Sequence, residues 1–532
     1  MTRLCVAIFV RDLSRAQRDA IAAAEGGADM VELRIDQFTD KDQLVLLLQS
    51  ISLPVIVTCR SVWEGGECEL STEDRLARLE LAATSGAAYV DVELETYRRN
   101  KLLEEVNSAI PRGKRAGMIV STHDFTGRPP RLTNLLTEME QGAGDVNKIV
   151  WTARTIRDNL EAFEILHHPT KPTIALCMGE SGLISRVLAK KFGAFLTFAG
   201  IRKQEVTAPG QLSLDEMKQL YRWDSIGPHT KVYGVVGHPV AHSMSPAIHN
   251  AAFEKTGFDG IYLPLLVNEG YESFKAFMES FLAFGPLDLS GLSITIPHKQ
   301  NALRYLQEKG AAIDDLAAKI GAVNTIAIEG TGSACRLRGL NTDYGAILDS
   351  ITTKLGISRE KLADYRVAVI GAGGTGRTAV AALSSCGATV VVYNRTRNRA
   401  DALAEEFNGK PGHVVAASLE KLCDSCCQIY LNTTSIGMHP HIDASPLGEA
   451  PPRLSAGSLV FDTVYNPMRT KLLDQAQQAG AQTINGVEMF VRQAVAQFEM
   501  WTGLPAPVEI MRAAVERQLE AHTPSPFGRG LG

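Results

Sequence analysis

The sequence predicts an α/β protein of several folding units, a closed eightfold βα barrel followed by a two-part α/β region. Three observations carry this. Eight short β-rich apolar runs alternate with helical patterns over the first ~220 residues. A glycine-rich turn between an apolar strand and a helix follows at 371–376. The chain has 532 residues, and at roughly 100–200 residues per domain that length calls for two to four units.

The eight runs are 4–10, 30–36, 55–60, 89–95, 118–125, 146–153, 173–179 and 194–200. Segments between them, such as 14–24 and 73–85, carry helix formers with apolar residues three and four apart, which is a repeated βα unit. Eight units fit a (β/α)8 TIM barrel; an open doubly wound sheet would want an early glycine-rich phosphate turn, and none is present. The pattern stops in 221–231, which contains Gly227-Pro228, before a new strand at 232–236. Further on, the strand 366–370 runs into Gly371-Ala372-Gly373-Gly374-Thr375-Gly376, then a helix at 377–385 and a strand at 389–393, a Rossmann βαβ unit. The expected domains are the barrel at 1–222, a linker at 223–231, a substrate-binding unit at 232–360 and a Rossmann unit at 361–487. Helices at about 488–521 return to pack on the substrate-binding unit, and 522–532, rich in Pro, Gly and Ser, reads as a disordered tail.

Composition narrows the function classes. Hydrophobic residues make up 45% and charged residues 21%, enough for ordinary cores. Lys plus Arg is 54 against 59 for Asp plus Glu, with no basic block, which argues against a nucleic-acid partner. Nine cysteines are odd in number and sparse, which reads as a reducing compartment. Cys423 and Cys426 have redox spacing, but they precede the strand-like run 428–431 and read as ordinary thiols. The apolar run 5–10 is too short for a signal segment, and other uncharged runs are interrupted, so a soluble cytoplasmic protein is expected.

In such a barrel, chemistry sits at the strand ends. The polar residues there are Glu32 and Arg34, Arg60 with Glu64-Gly65-Gly66, Glu93 and Glu95, His123-Asp124, Lys148 and Met178, with Arg186 just inside the next helix. Lys148 stands inside an apolar strand, where its ammonium must be desolvated. One reading is a structural ion pair. The other is a nucleophile, since desolvation lowers a lysine from ~10.4 toward neutrality and frees the amine to form a Schiff base with a ketone. His123, on the preceding strand, is the acid/base such chemistry needs.

Glu32-Leu33-Arg34-Ile35-Asp36, Thr58-x-Arg60, Glu64-Gly65-Gly66, Ser121-Thr122-His123-Asp124-Phe125, Lys148, Met178-Gly179, Ser185-Arg186, Thr197-Phe198 and Ala208-Pro209-Gly210-Gln211 together resemble type I 3-dehydroquinate dehydratases, over residues 1 to about 222. The resemblance implies an iminium at Lys148, proton shuttling by His123 during syn elimination of water, and Glu64 orienting His123. It implies that Arg60, Arg186 and Gln211 hold the substrate's carboxylate and hydroxyls, and it places Glu32, Arg34, Phe198 and Thr207 in the substrate-binding set, with no cofactor in this half. Thr207 stands where the family often has Ser. Trp151, three residues beyond Lys148, would narrow the site if it pointed inward.

In the second half, the strand after the glycine-rich turn ends in Asn394-Arg395-Thr396, with Arg399 nearby, rather than in the acidic residue that binds an NAD ribose. A guanidinium there favours a 2′-phosphate, so the expected cofactor is NADP. No metal is expected. Ser243-Met244-Ser245-Pro246, Thr295-Ile296-Pro297-His298-Lys299, Gly321-Ala322-Val323-Asn324-Thr325, Asn341-Thr342-Asp343, the turn, Asn432–Met438, Asp462–Pro467 and Gln493-Ala494 resemble shikimate dehydrogenases, from about 231 to 520. This implies a Lys299/Asp343 proton-relay dyad, with Ser243 and Ser245 on the substrate carboxylate and Thr295, Asn324, Tyr465 and Gln493 on its hydroxyls. Cofactor contacts are implied at Gly371, Ala372, Gly373, Gly374, Thr375, Gly376, Asn394, Arg395, Thr396, Arg399, Thr463 and Gly486.

The first reaction's product, 3-dehydroshikimate, is the second's substrate, and the fusion resembles the plant-type bifunctional enzymes of the shikimate pathway. The expected partners are therefore small molecules: 3-dehydroquinate, 3-dehydroshikimate and shikimate. Two alternatives stand beside this. One is a quinate-preferring dehydrogenase, against which Ser243, Ser245 and Thr295 are all present. The other is a catalytically silent metabolite sensor, against which Lys148, His123, Lys299 and Asp343 are intact.

Overall fold

The computed structural model describes residues 1–100, 116–202, 210–409, 411–422, 424–448 and 454–522. The expected tail therefore lies outside the described residues apart from His522, and so does Thr207.

Eight parallel strands, β1 (Arg3–Phe9), β2 (Met30–Arg34), β3 (Val55–Thr58), β4 (Tyr89–Glu93), β5 (Gly117–Asp124), β6 (Val146–Thr152), β7 (Thr173–Met178) and β8 (Leu196–Gly200), pair in the order β7-β6-β5-β4-β3-β2-β1-β8. Phe195 N–H donates to the Thr173 carbonyl at 2.8 Å and draws β8 against β7, so the sheet comes close to closing as a barrel. Because strand side chains alternate faces, each strand divides cleanly. Met30, Ile56, Ile119, Val146, Val150, Ile174, Leu176 and Phe198 pack together inside, while Val31, Val57, Val120, Ile149 and Ala175 pack outward against the helices. Trp151 belongs to the outer set and is fully buried there, so it does not narrow the interior. The apolar run at 89–95 breaks at Glu93, because Glu95 pairs with Arg98 and Arg99 at helical spacing and starts the helix Leu94–Arg99.

The second sheet contains β9 (Lys231–Gly237), β10 (Gly260–Leu266), β11 (Leu289–Ile294), β12 (Ala312–Ile313), β13 (Thr325–Glu329) and β14 (Arg336–Leu340), in the order β10-β9-β11-β13-β14-β12. Only the β11–β13 and β13–β14 pairs are antiparallel. The helices Gly486–Thr502 and Val508–His522 pack on the helix Ser245–Thr256 of this unit through Val487, Val491, Phe498, Met511 and Val515. The third sheet, β15 (Arg366–Ile370), β16 (Thr389–Asn394), β17 (His413–Ser418), β18 (Ile429–Asn432), β19 (Leu459–Asp462) and β20 (Gln482–Ile484), is parallel throughout in the order β17-β16-β15-β18-β19-β20. Its strand order reverses between β15 and β18, the switch point where such sheets take a nucleotide.

The segment expected as a linker is packed rather than free. Trp223 and Ile226 are buried in a core cluster that joins the barrel's outer layer to β9, β10 and β11. Arg222 donates to the Gly260 carbonyl at 2.7 Å and to Glu254 at 2.6 Å. Phe163, Phe192 and Phe284 stack across the same junction. Lys191, its side chain 1% exposed, donates to the carbonyls of Pro228 and Thr230 at 2.8 and 2.9 Å and to Asp288 at 2.8 Å. Lys191→Ala strands all three acceptors, so the expected outcome is a loss of about 2–3 kcal/mol in urea unfolding. An unchanged midpoint would show that the aromatic contacts alone hold the junction.

Candidate functional site

At the C-terminal mouth of the barrel, strand parity aims Glu32, Asp91, Ser121, His123 and Lys148 inward. Parallel register sets Glu32 level with Ile56, and Asp91 level with Thr58 and Ile119. Ser121 is level with Lys148, and His123 lies one pleat further along its strand, level with Val150. The Lys148 ammonium, 4% exposed as a residue, donates to Asp91 Oδ2 at 2.9 Å and Glu32 Oε1 at 3.2 Å and lies 4.6 Å from the Phe198 ring centroid. Arg60 donates to Asp91 Oδ1 at 2.8 Å, Glu64 Oε2 at 2.7 Å and Ser121 Oγ at 2.7 Å, and Thr58 donates to Glu32 at 2.8 Å. Lys148 is thus ion-paired, and the adjoining strand carries His123 one pleat further along.

Burial decides which groups in this cluster carry charge. It pushes Glu64 up to about 7: Arg60 draws it down, but Asp91 and Glu93 add to the desolvation. Burial also takes His123 well below its ordinary value, helped by the Arg60 and Lys148 charges, so its imidazole is neutral and able to accept a proton. For Asp91 burial opposes ionisation, yet Arg60 and Lys148 outweigh it and hold the carboxyl below the usual range. The Glu64 carboxyl accepts from the backbone N–H of His123 at 3.3 Å and lies 3.5 Å from His123 Nδ1, which has no hydrogen-bond partner among the described residues.

Around this centre, Arg34 is held by Asp36 at 2.6 Å and stacks over Phe9. Arg186 is buried, its Nε has no hydrogen-bond partner, and burial takes it down to about 10. A desolvated guanidinium with a donor to spare is a site for an anion. Gln211 is buried beyond β8. Sequence reasoning missed Asp91, and it carried Thr58 and Ser121 only as members of motifs, without a role. The signal for Asp91 was available, since a carboxylate between Val90 and Val92 is as costly a placement as Lys148.

In the second half, Lys299 opens the helix Lys299–Glu308 and donates to Asp343, in the first turn of the helix Thr342–Leu355, at 2.6 Å. Asn324 Oδ1 accepts from Thr342 N–H at 2.8 Å and from the Thr325 hydroxyl at 2.7 Å, and Asn324 Nδ2 donates to Thr342 Oγ1 at 3.0 Å, fixing Asn324 beside Asp343. Ser243 accepts from Ser245 N–H at 3.2 Å just before the helix Ser245–Thr256. Thr295 follows β11 and leads to Lys299 through Pro297 and His298, whose imidazole is buried against Val267 and Asn301. Tyr465 stacks on Phe490, and Gln493 donates to the Phe490 carbonyl at 3.0 Å.

The glycine-rich turn fits a dinucleotide. A Cβ on Gly376 would meet the Gly371 carbonyl at 2.2 Å, so the helix Gly374–Ser385 can start this close to β15 only with glycine there. At Gly373 a Cβ would meet nothing, and at Gly374 only Lys299 Cδ at 3.7 Å, leaving open space in front of a helix N-terminus beside the dyad. On the far wall, Gly486 lies so close to 463–464 that a Cβ would meet the Thr463 carbonyl at 2.6 Å. Arg395, Thr396 and Arg399 are exposed at the end of β16, and Asn394 donates to the Thr396 carbonyl at 2.8 Å. Arg397 is engaged by Asp401 at 2.8 Å, whereas neither Arg395 nor Arg399 has a salt bridge among the described residues. Among the described residues no three His, Cys, Asp or Glu side chains gather as for a metal, and no helix is long and apolar enough to cross a membrane.

Four known family models match parts of the chain. The type I 3-dehydroquinase family matches residues 4–228. The shikimate dehydrogenase substrate-binding domain matches 235–326, the shikimate / quinate 5-dehydrogenase family 354–452, and the shikimate 5′-dehydrogenase C-terminal domain 486–516. The chain is 38% identical over 525 residues to the chloroplastic bifunctional 3-dehydroquinate dehydratase/shikimate dehydrogenase of Arabidopsis thaliana, covering 95% of this chain and 83% of that protein. It is 37% identical over 295 residues to the NADP(+) shikimate dehydrogenase of Methanothermobacter thermautotrophicus, covering 54% of this chain and 97% of that one. A solved shikimate dehydrogenase in complex with NADP+ matches with 35% identity and a TM-score of 0.50, covering 55% of this chain and 97% of its own.

The electrostatics of Glu64 yield a test on stability. Its raised folded value means that its stabilising contribution is complete below the ordinary carboxyl range and lost as pH rises through about 7. Glu64→Gln is therefore expected to raise the urea midpoint at pH 8 and to leave it nearly unchanged at pH 5. A gain at both pH values, or at neither, would contradict a protonated Glu64 below neutrality.

Proposed function

This chain belongs to the family of bifunctional 3-dehydroquinate dehydratase/shikimate dehydrogenases, and on that premise we propose how its residues share the two reactions. The enzyme dehydrates 3-dehydroquinate to 3-dehydroshikimate and reduces that ketone to shikimate with NADPH.

In the barrel, Lys148 gives up a proton and its amine adds to the substrate's carbonyl carbon; loss of water from the carbinolamine leaves an iminium. The neutral imidazole of His123 accepts and returns the protons these steps move. It then removes the proton α to the iminium, and the neighbouring hydroxyl leaves as a second water. Hydrolysis of the product iminium restores Lys148, so the net change is loss of one water. Glu32 and Asp91, already paired to the ammonium, face the iminium that replaces it, so the positive charge they balance in the resting enzyme is met again in each iminium. Glu64 orients His123. Arg186, free of any carboxylate partner among the described residues, takes the substrate carboxylate. Gln211 and Phe198 bound the ring, and Arg34 and Arg60 complete the mouth, Arg60 chiefly by holding Glu64 and Asp91. The observation that carries this reading is a buried, doubly ion-paired lysine with a neutral histidine on the adjoining strand.

In the second half, NADPH when bound would supply hydride to the carbonyl carbon. Lys299, held by Asp343, protonates the developing alkoxide. Ser243 and Ser245 hold the carboxylate, and Thr295, Asn324, Tyr465 and Gln493 the hydroxyls. This complement of hydroxyl groups favours shikimate over quinate. The open turn at Gly371, Ala372, Gly373, Gly374, Thr375 and Gly376 takes the pyrophosphate, Asn394, Arg395, Thr396 and Arg399 the 2′-phosphate, and Thr463 and Gly486 bound the nicotinamide end. We assign 1–222, 232–360 with 488–521, and 361–487 as the functional units, and the cytoplasm as the compartment, supported by the free cysteines.

One cuvette tests the division: enone absorbance from 3-dehydroquinate without cofactor, then NADPH oxidation. Lys148→Ala is expected to abolish the first signal and to leave reduction of added 3-dehydroshikimate intact. Loss of both would contradict separate sites. Arg395→Asp is expected to shift preference from NADPH toward NADH by about tenfold or more, in line with loss of a charge-assisted phosphate contact. Unchanged discrimination would mean that the 2′-phosphate is read elsewhere.

A further inference from the structure

We propose that Arg75 is a positioning residue for the dehydration: with Glu93 it fixes the peptide groups on either side of Arg60 and so aims the Arg60 guanidinium at Glu64 and Asp91. The inference rests on the role given to Arg60 above.

Arg60 lies two residues beyond β3, in the turn that leads to Glu64. Both peptides that flank its Cα are held at both ends. In the peptide before it, the Cys59 carbonyl accepts from Arg75 Nη1 at 3.3 Å, and the Arg60 N–H donates to Asp36 Oδ1 at 3.0 Å. In the peptide after it, the Arg60 carbonyl accepts from Cys68 N–H at 3.1 Å, and the Ser61 N–H donates to Glu93 Oε1 at 3.0 Å. A peptide group is planar, so holding two consecutive ones fixes φ and ψ of the residue between them and with these the direction of its Cα–Cβ bond. Arg75, on the helix Thr72–Thr84, also ties the two peptides together. Its Nη1 donates to Glu93 Oε1 at 2.5 Å, the same oxygen that takes the Ser61 N–H. Its Nη2 donates to Thr96 Oγ1 at 3.1 Å, and Thr96 donates to Glu93 Oε2 at 3.2 Å. Arg75, Glu93 and Thr96 are all buried.

A buried ion pair adds little net stability over an apolar pair of the same volume, so neutralising Glu93 is not by itself a reason for Arg75. What the pair holds is such a reason. The Arg60 guanidinium reaches Glu64 in its own turn, Asp91 on β4 and Ser121 on β5, at 2.7, 2.8 and 2.7 Å, and a turn of its backbone would break that set. The Arg60 charge also bears on His123. Its imidazole is faced by the cations of Arg60, Lys148 and Arg34, which favour the neutral form, and by the carboxyls of Asp91 and Glu64. Glu64, raised to about 7, is largely uncharged below neutrality, and more so without Arg60 to draw it down. An Arg60 that swings away therefore removes a cation from the imidazole and lets it protonate at higher pH. The free enzyme's base sets the acidic limb of kcat/KM, so that limb reports where Arg60 stands.

The test is made on the full-length enzyme, with dehydration of 3-dehydroquinate followed against pH and reduction of 3-dehydroshikimate by the same preparations as a readout from the other half. Arg75→Met is expected to lower kcat/KM for dehydration by about tenfold or more, the scale of a misplaced group at the reacting centre, to move the acidic limb to higher pH and to leave reduction unchanged. Arg75→Lys, whose ammonium can still donate to the Cys59 carbonyl and Glu93, should recover most of both effects. In an Arg60→Ala background Arg75→Met should cost nothing further, since it acts through Arg60. A fall in rate with an unmoved limb, costs that multiply in the double variant, an Arg75→Lys no better than Arg75→Met, or a parental rate in Arg75→Met would overturn the proposal while leaving the role of Arg60 standing. A parental rate in Arg60→Ala would overturn that role itself. If Arg75→Met or Arg60→Ala loses reduction as well, Thr96→Val decides, because it cuts the link between Arg75 and the second Glu93 oxygen without unpairing a charge. A smaller fall in kcat/KM with the limb moved the same way is expected, and a parental rate and profile would overturn the proposal.

Discussion

The structure depends first on the requirement that charge buried inside a barrel be balanced where it stands. A lysine ammonium in the middle of β6 is tolerable only because Asp91 and Glu32 meet it from two other strands, and Asp91 is tolerable only because Arg60 meets it as well. Glu32 and Asp91 come from different strands of the parallel sheet and Arg60 from just beyond the end of a third, so the network forms only in the native register. The same requirement shapes the chemistry. A cationic imine is a conservative replacement for an ammonium, and carboxylates already fixed around that charge need not reorganise. Arg186, the buried guanidinium without a carboxylate partner among the described residues, is the complementary case, where the balance awaits an anionic ligand.

The sequence carried the elements well and their assembly less well. The eight barrel runs, the nucleotide turn and the lysine inside β6 are all written in local pattern. Trp151 was also readable: three residues beyond Lys148 is an odd step on a strand, which places it on the opposite face. Asp91 and Ser121 were harder, because their meaning lies in which strands adjoin and at what level, and pairing is a property of the closed sheet. The second sheet was the least legible part. Its antiparallel β11–β13–β14 portion is short and lacks a simple βα repeat. The junction at 223–231 reads as a linker by its Gly-Pro and polar content, but Trp223 and Ile226 bury it, and nothing local announces the surface they find.

The two halves therefore share a core while keeping their chemistry apart. Lys191 and the Phe163, Phe192 and Phe284 stack fasten the barrel's outer layer to the substrate-binding unit, and the helix Leu183–Val187 that carries Arg186 touches β10. Yet the two lysines do different work. In the proposed mechanism Lys148 forms a bond to carbon, whereas Lys299 moves a proton to oxygen, and their partners, paired carboxylates for the one and a single aspartate for the other, are consistent with that difference.

The account's central claim is that Lys148 becomes the imine and that Glu32 and Asp91 hold its charge. The most direct measurement is to add borohydride to the enzyme during turnover of 3-dehydroquinate, digest the protein and weigh its peptides. The account predicts a reduced substrate adduct on the peptide containing Lys148, with dehydration lost irreversibly and shikimate formation from 3-dehydroshikimate retained. An adduct on another lysine, or dehydration that survives borohydride with no adduct, would contradict it.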